Sequence, residues 1–263
     1  MKKGFSQEGL KLIACLTMLI DHVAYEIVYP VYAGLSAVSA VDPPAVKLIY
    51  QMYLLCRSIG RISFPIFAFL LVEGIHHTHD PRKYAKRLAI GALLAEIPYN
   101  LMVADRIDWG KQSVMATLLL GFLAVYYMGK TTSLAWKSVI ILPFALLADM
   151  FRVEYGWAGV VLIALFELSR YSYSPNLMRT VGMIVLFHYR SGFVFQIGNF
   201  SLPRQVLGVL SMIFIANYDG RKLTRSKWVQ WAFYLFYPVH LLLIWGLGKL
   251  VPRVLTIGVS IVL

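Results

Sequence analysis

The sequence predicts an all-α fold, a polytopic membrane bundle of about 9–10 transmembrane helices. Three observations carry that prediction. Of 263 residues, 59% are hydrophobic and only 14% charged, against roughly half and a quarter in soluble chains. The mean hydropathy is +0.67. Uncharged stretches of about 20 residues, long enough to cross the hydrocarbon layer, recur along the chain. In such a protein a net charge of +12 orients loops and meets anionic lipid or phosphate groups, so nucleic-acid binding falls away.

Apolar runs separated by charged or Pro/Gly-containing breaks predict helices at 10–30, 54–77, 84–103, 112–128, 134–149, 156–169, 176–189, 203–217 and 228–249. The tail 251–263 is short for a span and reads as a tilted tenth helix, a re-entrant piece or an interfacial helix. Heptads, repeats and linkers are lacking, which predicts one domain over 1–263. Met1-Lys2-Lys3 followed by Leu10 to Ile20 imitates a signal peptide, and Val38-Ser39-Ala40 imitates its cleavage site. The apolar run carries Asp21-His22, however, and lies about 20 residues from that site, so it reads as an uncleaved first span. Cys15 and Cys56 sit in different runs near opposite ends, which argues against a disulfide framework. A cytosolic N-terminus places fifteen of the 25 Lys+Arg, including the two densest clusters, inside. With nine spans the C-terminus is outside; a tenth returns it to the cytosol.

Ionisable groups are expensive in hydrocarbon, so each one within a span is a functional candidate. In the first run Lys11, Cys15, Met18, His22, Tyr25 and Tyr29 recur every three or four residues and share one helical face. Lys11 and His22 are then about 16 Å apart along the axis. That suits a long substrate with an anionic head at the cytosolic edge and a reactive end deep in the membrane. The plainer reading of His22 is a structural hydrogen-bonder. Asp21 lies about 100° round the helix from His22 and is expected to meet a cation on another helix.

In the second run Arg57 and Arg61, one turn apart in the outer half, need acceptors, and Asp21, Glu96, Asp149 and Glu154 are the candidates. Snorkelling is the plainer reading for Arg57. Pro65 predicts a kink and a freed carbonyl. At the inner end, His76-His77-Thr78-His79-Asp80 lack a complete ligand set at a metal spacing, so no metal is expected. With Arg82, Lys83, Lys86 and Arg87 they read as a basic collar for phosphate groups, or simply as topology and lipid contact. Glu96 in the third run and the pair Tyr237 and His240 in the last complete the set. His22, Arg61, Glu96, Tyr237 and His240, from four helices, are predicted to lie at one depth.

Leu10-Lys11-Leu12-Ile13 through Ile20-Asp21-His22, the stretch Gly60-Arg61-Ile62-Ser63-Phe64-Pro65 through Val72-Glu73-Gly74, and Phe236-Tyr237-Pro238-Val239-His240-Leu241-Leu242 together resemble the TraX family. Gly156-Trp157-Ala158-Gly159-Val160 and Asn217-Tyr218-Asp219-Gly220-Arg221-Lys222 add to a resemblance that covers nearly the whole chain. It implies a multi-pass acetyltransferase of the bacterial cytoplasmic membrane, in a family named for acetylating the N-terminus of conjugative pilin. It also implies kinship with the acyltransferase-3 and lysosomal glucosaminide acetyltransferase types. Those proteins carry acyl groups from cytosolic acyl-CoA to acceptors at or beyond the far face, and their first helix has a basic residue, ten residues, then a catalytic His. Lys11 and His22 match that spacing. Lys in place of the usual Arg loses bidentate phosphate geometry, and Val72-Glu73-Gly74 stands where that class tends to have a serine-glycine pair.

On this resemblance acetyl-CoA is the co-substrate, its phosphates held by Lys11, Arg82, Lys83, Lys86, Arg87, Arg221 and Lys222, with Arg225 assisting, and its pantetheine arm lying along the Lys11–Cys15–Met18 face. His22 acts as general base, Arg61 or Tyr237 steadies the oxyanion, Asp21 or Glu96 orients a partner, and His240 stands with them. Cys15 as an acyl-carrying nucleophile is the lesser alternative to plain packing. The acceptor is a pilin or other peptide N-terminus, a cell-surface glycan or a lipid-linked molecule. The competing classes are a transporter or flippase using His22, Arg61 and Glu96 as its path, though no matching pair of halves is visible, and a non-catalytic assembly factor.

Overall fold

The computed structural model describes residues 4–37, 43–188, 194–197, 200–224 and 226–250. The tail 251–263, Arg225, Lys2 and Lys3, and the Val38-Ser39-Ala40 stretch lie outside the described residues.

Ser6 caps the first helix by accepting from the Gly9 N–H at 3.1 Å, and Glu8 sits in its first turn, where a negative charge suits the helix dipole. α1 (Gln7–Val23) passes through a π turn (Ala24–Val28) into α2 (Tyr29–Ser36), forming one 30-residue rod. α3 (Pro43–Ile59) then leads through a 3₁₀ turn (Gly60–Ile62) into α4 (Ser63–His77). This helix begins well before the expected residue 54. The prolines at 43 and 44 suit a first helical turn, and Leu48, Met52 and Leu55 form an exposed apolar face, fit for lipid, that Lys47 and Gln51 interrupt in sequence. The break in this rod is the 3₁₀ turn. Pro65, just after it, has no N–H for the Arg61 carbonyl, and Gly208 packs so close that a Cβ there would lie 3.1 Å from that oxygen.

α5 (Pro81–Ala104) is capped by Asp80, which accepts from the Lys83 N–H at 3.0 Å, and ends at Asp105 in the left-handed region. α6 (Val114–Met128), α7 (Leu134–Met150), α8 (Gly156–Ser169) and α9 (Pro175–His188) come after it. A short antiparallel hairpin, β1 (Val194–Ile197) with β2 (Phe200–Pro203), is next. The helix expected at 203–217 is instead a 3₁₀ segment (Arg204–Ser211) closed by α10 (Met212–Ile215). α11 (Lys227–Gly248) ends the described chain. Both cysteines are free.

The protein is therefore all-helical apart from one hairpin, with nine helical rods among the described residues. Four of them, Gln7–Ser36, Pro44–His77, Pro81–Ala104 and Trp228–Gly248, are long and apolar enough to cross a membrane. α6 and α8 are shorter, at 15 and 14 residues. α8 is apolar up to Glu167 in its last turn and sits among α4, α6, α7 and α9, with Ala158, Val160, Leu162, Ile163 and Phe166 fully buried. Apolar side chains gain little from leaving lipid, so close backbone approach holds such a bundle together. A Cβ on Gly121 of α6 would fall 2.2 Å from Ile163, and one on Gly159 of α8 would fall 2.6 Å from Thr117. α1 packs against α3, α4 and α11, and the Ser63 hydroxyl donates to the Ala14 carbonyl at 2.9 Å to tie α4 to α1.

Candidate functional site

The N-terminal segment is laced to the stretch before α11. Phe5 donates to Asn217 at 2.8 Å, Asp219 to Phe5 at 3.1 Å and Gln7 to Arg221 at 2.9 Å, all backbone to backbone. The Glu8 carboxylate accepts from the Leu223 N–H at 2.8 Å. This lacing brings Lys222 to the same end of the bundle as Lys11. Between them opens a cavity of about 370 Å³. Its mouth carries Gln7, Lys11, Glu73, His77, Tyr84, Arg87, Lys222 and Gln230, and its inner end carries Asp21, His22, Arg61, Glu154, Tyr155 and Tyr237. Apolar walls from Met18, Phe67, Leu70, Leu71, Met115, Leu118 and Phe233 join the two ends.

Of the predicted basic collar, Lys11, Arg87 and Lys222 line the mouth. Lys11 lies over the Phe233 ring at 5.3 Å and Arg87 over Tyr84 at 5.3 Å, so both cations are held against aromatic faces. Arg82, Lys83, Lys86 and Arg221 do not line it. On α5, Arg82, Lys83 and Lys86 are exposed, and Lys83 pairs with Asp80. Arg221 donates to Asp219 at 2.7 Å, and this hydrogen bond holds the Asp219 carboxyl below the usual carboxylate range. His77 turns back on the Glu73 carbonyl at 2.8 Å, Glu73 pairs with Arg170, and His76 meets the buried Glu167 at 2.6 Å. Among the described residues no group of three or more His, Cys, Asp or Glu is placed to hold a metal.

At the inner end Asp21 and His22 point in different directions, as neighbours on a helix must. Asp21, 6% exposed, takes Arg57 on Oδ2 at 2.6 Å and Arg61 on Oδ1 at 2.7 Å. The cation expected on another helix is therefore a pair of arginines, and Glu96 and Asp149 do not serve as their acceptors. Arg61 also donates to the Arg57 carbonyl at 3.1 Å and to Gln205 at 3.1 Å. Gly60 makes this possible: a Cβ there would fall 2.3 Å from the Asp21 Cβ.

His22 meets His240 from α11, Nδ1 to Nε2, at 2.7 Å. Their centroids are 5.0 Å apart and their planes differ by 14°. At that N···N distance the rings meet edge to edge, nearly coplanar. His240 is 4% exposed, lies under the Phe236 ring at 4.5 Å and engages the Phe236 carbonyl through Nδ1 at 2.7 Å. Tyr237, also buried, lines the cavity beside the pair.

Glu96 does not join this group. Its carboxylate accepts from the Ser113 N–H at 3.2 Å, at the start of α6, and from Asn100 at 3.2 Å, whose own oxygen accepts from the Asp108 N–H. It pins the 105–113 loop to the head of α6, where a carboxylate also complements the helix dipole. Cys15 is buried off the cavity, and Tyr25 and Tyr29 leave the Lys11–His22 face. The π turn that starts at Ala24 adds a residue to its turn and rotates the rest of the rod by about 100°. Tyr25, inside that turn, lies under Arg57 at 5.2 Å, and Tyr29, beyond it, joins Tyr32, Tyr50 and Tyr53 in a wall of tyrosines.

A family model described as TraX protein matches residues 6–248, a span that contains every residue of the cavity. The chain belongs to the TraX family. A relative named probable fimbrial assembly protein FimC, serogroup H1, from Dichelobacter nodosus, is 29% identical over 261 residues, covering 91% of this chain and 94% of the relative. No solved structure is a significant match. Sequence reasoning about this TraX protein missed Tyr84, Tyr155 and Gln205. Tyr84 was accessible to it, sharing a face of α5 with Arg87 and Leu88. Tyr155 owes its place to a left-handed backbone, φ 64°, just before α8, which stacks its ring on Phe64 at 3.8 Å. No periodicity signals that.

Proposed function

We propose that this TraX protein is an acetyltransferase of the bacterial cytoplasmic membrane, moving an acetyl group from cytosolic acetyl-CoA to an amine or hydroxyl at or beyond the outer face. The observation that carries the reading is one cavity joining a mouth with three cations, Lys11, Arg87 and Lys222, to the imidazole of His22. With the N-terminus in the cytosol, the mouth opens to acetyl-CoA. Its phosphates pair with those cations, and the pantetheine arm runs along the apolar wall past Met18 to the inner end.

There the acceptor's nitrogen or oxygen attacks the thioester carbonyl. Its proton passes to His22 as general base, the carbonyl becomes a tetrahedral oxyanion, the C–S bond breaks, and the thiolate leaves with the proton that His22 returns. Arg61 lines the cavity, and three of its five N–H groups are already committed. The remaining two are the ones left to donate to the oxyanion. Asp21 acts through the arginines, holding Arg61 in place. The name of the fimbrial relative favours a peptide N-terminus of pilin type as acceptor, ahead of a cell-surface glycan or a lipid-linked molecule.

The test uses detergent-purified protein, wild type and His22→Ala, with radiolabelled acetyl-CoA and a membrane and peptide extract of the host. Label transferred by the wild type and lost in His22→Ala is the expected result, and it delivers the acceptor for identification. A wild type that neither transfers label nor binds acetyl-CoA refutes the reading and leaves a translocation path as the use of the cavity.

A further inference from the structure

We propose that His240 is a positioning residue: it fixes the tautomer of His22, so that Nδ1 carries the proton and Nε2 is the bare, basic nitrogen offered to the cavity. The argument starts at the Phe236 carbonyl. A carbonyl only accepts, so at 2.7 Å the His240 Nδ1 must donate to it. A neutral imidazole carries one proton, so His240 Nε2 is then a lone pair. Its partner at 2.7 Å, His22 Nδ1, must be the donor. One backbone oxygen thereby sets both rings in sequence, and the second nitrogen of His22 is left unprotonated.

The alternatives fail on charge and geometry. With the opposite tautomer, the His240 Nδ1 lone pair would face a carbonyl oxygen at 2.7 Å. A doubly protonated His240 would bury a cation in a site 4% exposed, between the Phe236 and Tyr237 rings. Asp21, the carboxylate next to the pair, is already taken up by Arg57 and Arg61 and is not free to pair with such a cation. The ring of His240 is also held mechanically, by the Phe236 face and by α11 itself, so His22 is oriented as well as tautomerised.

The kinetic part of this inference rests on the acetyl-transfer reading. When His22 Nε2 takes the acceptor's proton, the resulting imidazolium donates through Nδ1 to His240, which spreads the positive charge. The proton cannot run further, because His240 Nδ1 already carries one toward the carbonyl. It therefore returns through Nε2 to the leaving thiolate.

Full-length protein labelled with ¹⁵N-histidine, reconstituted in lipid, is examined by solid-state NMR alongside acetyl-transfer kinetics. Wild-type His22 is expected to show a protonated Nδ1 and a bare Nε2. In His240→Leu the imidazole loses its acceptor and reverts to the ordinary preference for Nε2–H. The kcat then falls by roughly 100-fold, as for a base held in the wrong tautomer, with KM for acetyl-CoA unchanged. His240→Gln offers an acceptor oxygen at the same reach and is expected to restore the Nδ1–H form and kcat to within about tenfold of wild type. Retention of a bare Nε2 in His240→Leu overturns the inference, as does an unchanged kcat after the proton has moved. If the wild type neither transfers an acetyl group nor binds acetyl-CoA, the enzyme reading fails, and the NMR arm still decides the tautomer.

Discussion

Replacing Asp21 by asparagine removes one charge while keeping the shape of the side chain, which isolates what the buried ion triad contributes. Both carboxylate oxygens are committed, to Arg57 at 2.6 Å and Arg61 at 2.7 Å. Asparagine offers one oxygen and turns an NH₂ toward the other guanidinium. The Arg57 Nε is already a buried donor with no acceptor, so nothing nearby absorbs the loss except Glu154, which shares the cavity with Arg61. Breaking a buried pair from one side costs about 3–5 kcal/mol. The side chains of Arg57 and Arg61 are 20% and 14% exposed, so the lower end applies, about 3 kcal/mol. At roughly 2–4 °C per kcal/mol for chains of this size, the melting temperature in a fixed detergent should drop by about 6–12 °C. Replacing all three residues with apolar ones of similar volume, Asp21→Leu with Arg57→Met and Arg61→Met, should recover most of that loss, because no guanidinium is left without its carboxylate. An Asp21→Asn protein melting within about 2 °C of wild type would refute the reasoning. So would an apolar triple variant that melts as low as the single one.

Three further outcomes are set by the geometry. Gly60→Ala places a Cβ 2.3 Å from Asp21 and should cost about 1–3 kcal/mol by overpacking, read as a lower Tm in the same melt. Lys11→Ala, Arg87→Ala and Lys222→Ala should each weaken acetyl-CoA binding about 5–10-fold, as expected for one charge-assisted contact. Arg82→Ala, Lys83→Ala and Lys86→Ala should leave it unchanged, and equal losses across both sets in a radioligand titration would show that the mouth is not the binding determinant. For topology, single cysteines at Arg82→Cys and Asp108→Cys, in a background of Cys15→Ala and Cys56→Ala, are treated with a membrane-impermeant maleimide on intact cells. Asp108→Cys should label and Arg82→Cys should not; the reverse pattern overturns the cytosolic N-terminus.

The helices were legible because apolar runs and charged breaks report directly on transfer free energy. What sequence periodicity does not report is where a rod changes its internal hydrogen bonding. At Gly60–Ile62 the missing donor of Pro65 is visible in the sequence, but the close approach of Gly208, within Arg204–Ser211, to the Arg61 carbonyl is a tertiary contact that no period reports. The hairpin before Arg204 is likewise invisible to an apolar-run reading, as four-residue strands carry too few residues to show a period. The amphipathic length of α3 was hidden for a different reason: Lys47 and Gln51 interrupt an apolar face that only the helix brings together.

The candidate site was legible in its members and not in its pairings. Intramembrane cost singles out Asp21, His22, Arg61, Glu96 and His240, but Glu96 stands apart from the others, since a buried carboxylate can be spent entirely on the head of a helix. The face from Lys11 to His22 survives because α1 is regular up to Val23. It ends where the π turn begins, one residue further on. An α-helix puts neighbours about 100° apart, so Asp21 and His22 cannot serve one partner. The bundle uses both directions: Asp21 closes the ion triad that anchors α1 to the Gly60 turn, and His22 meets His240 on α11 from the next position round. A regular helix would then have carried Tyr25 and Tyr29 back onto the His22 face. Tyr25 instead sits within the π turn under Arg57, and the extra residue of that turn sends Tyr29 to the tyrosine wall, leaving His22 as the last polar group of α1 to line the cavity.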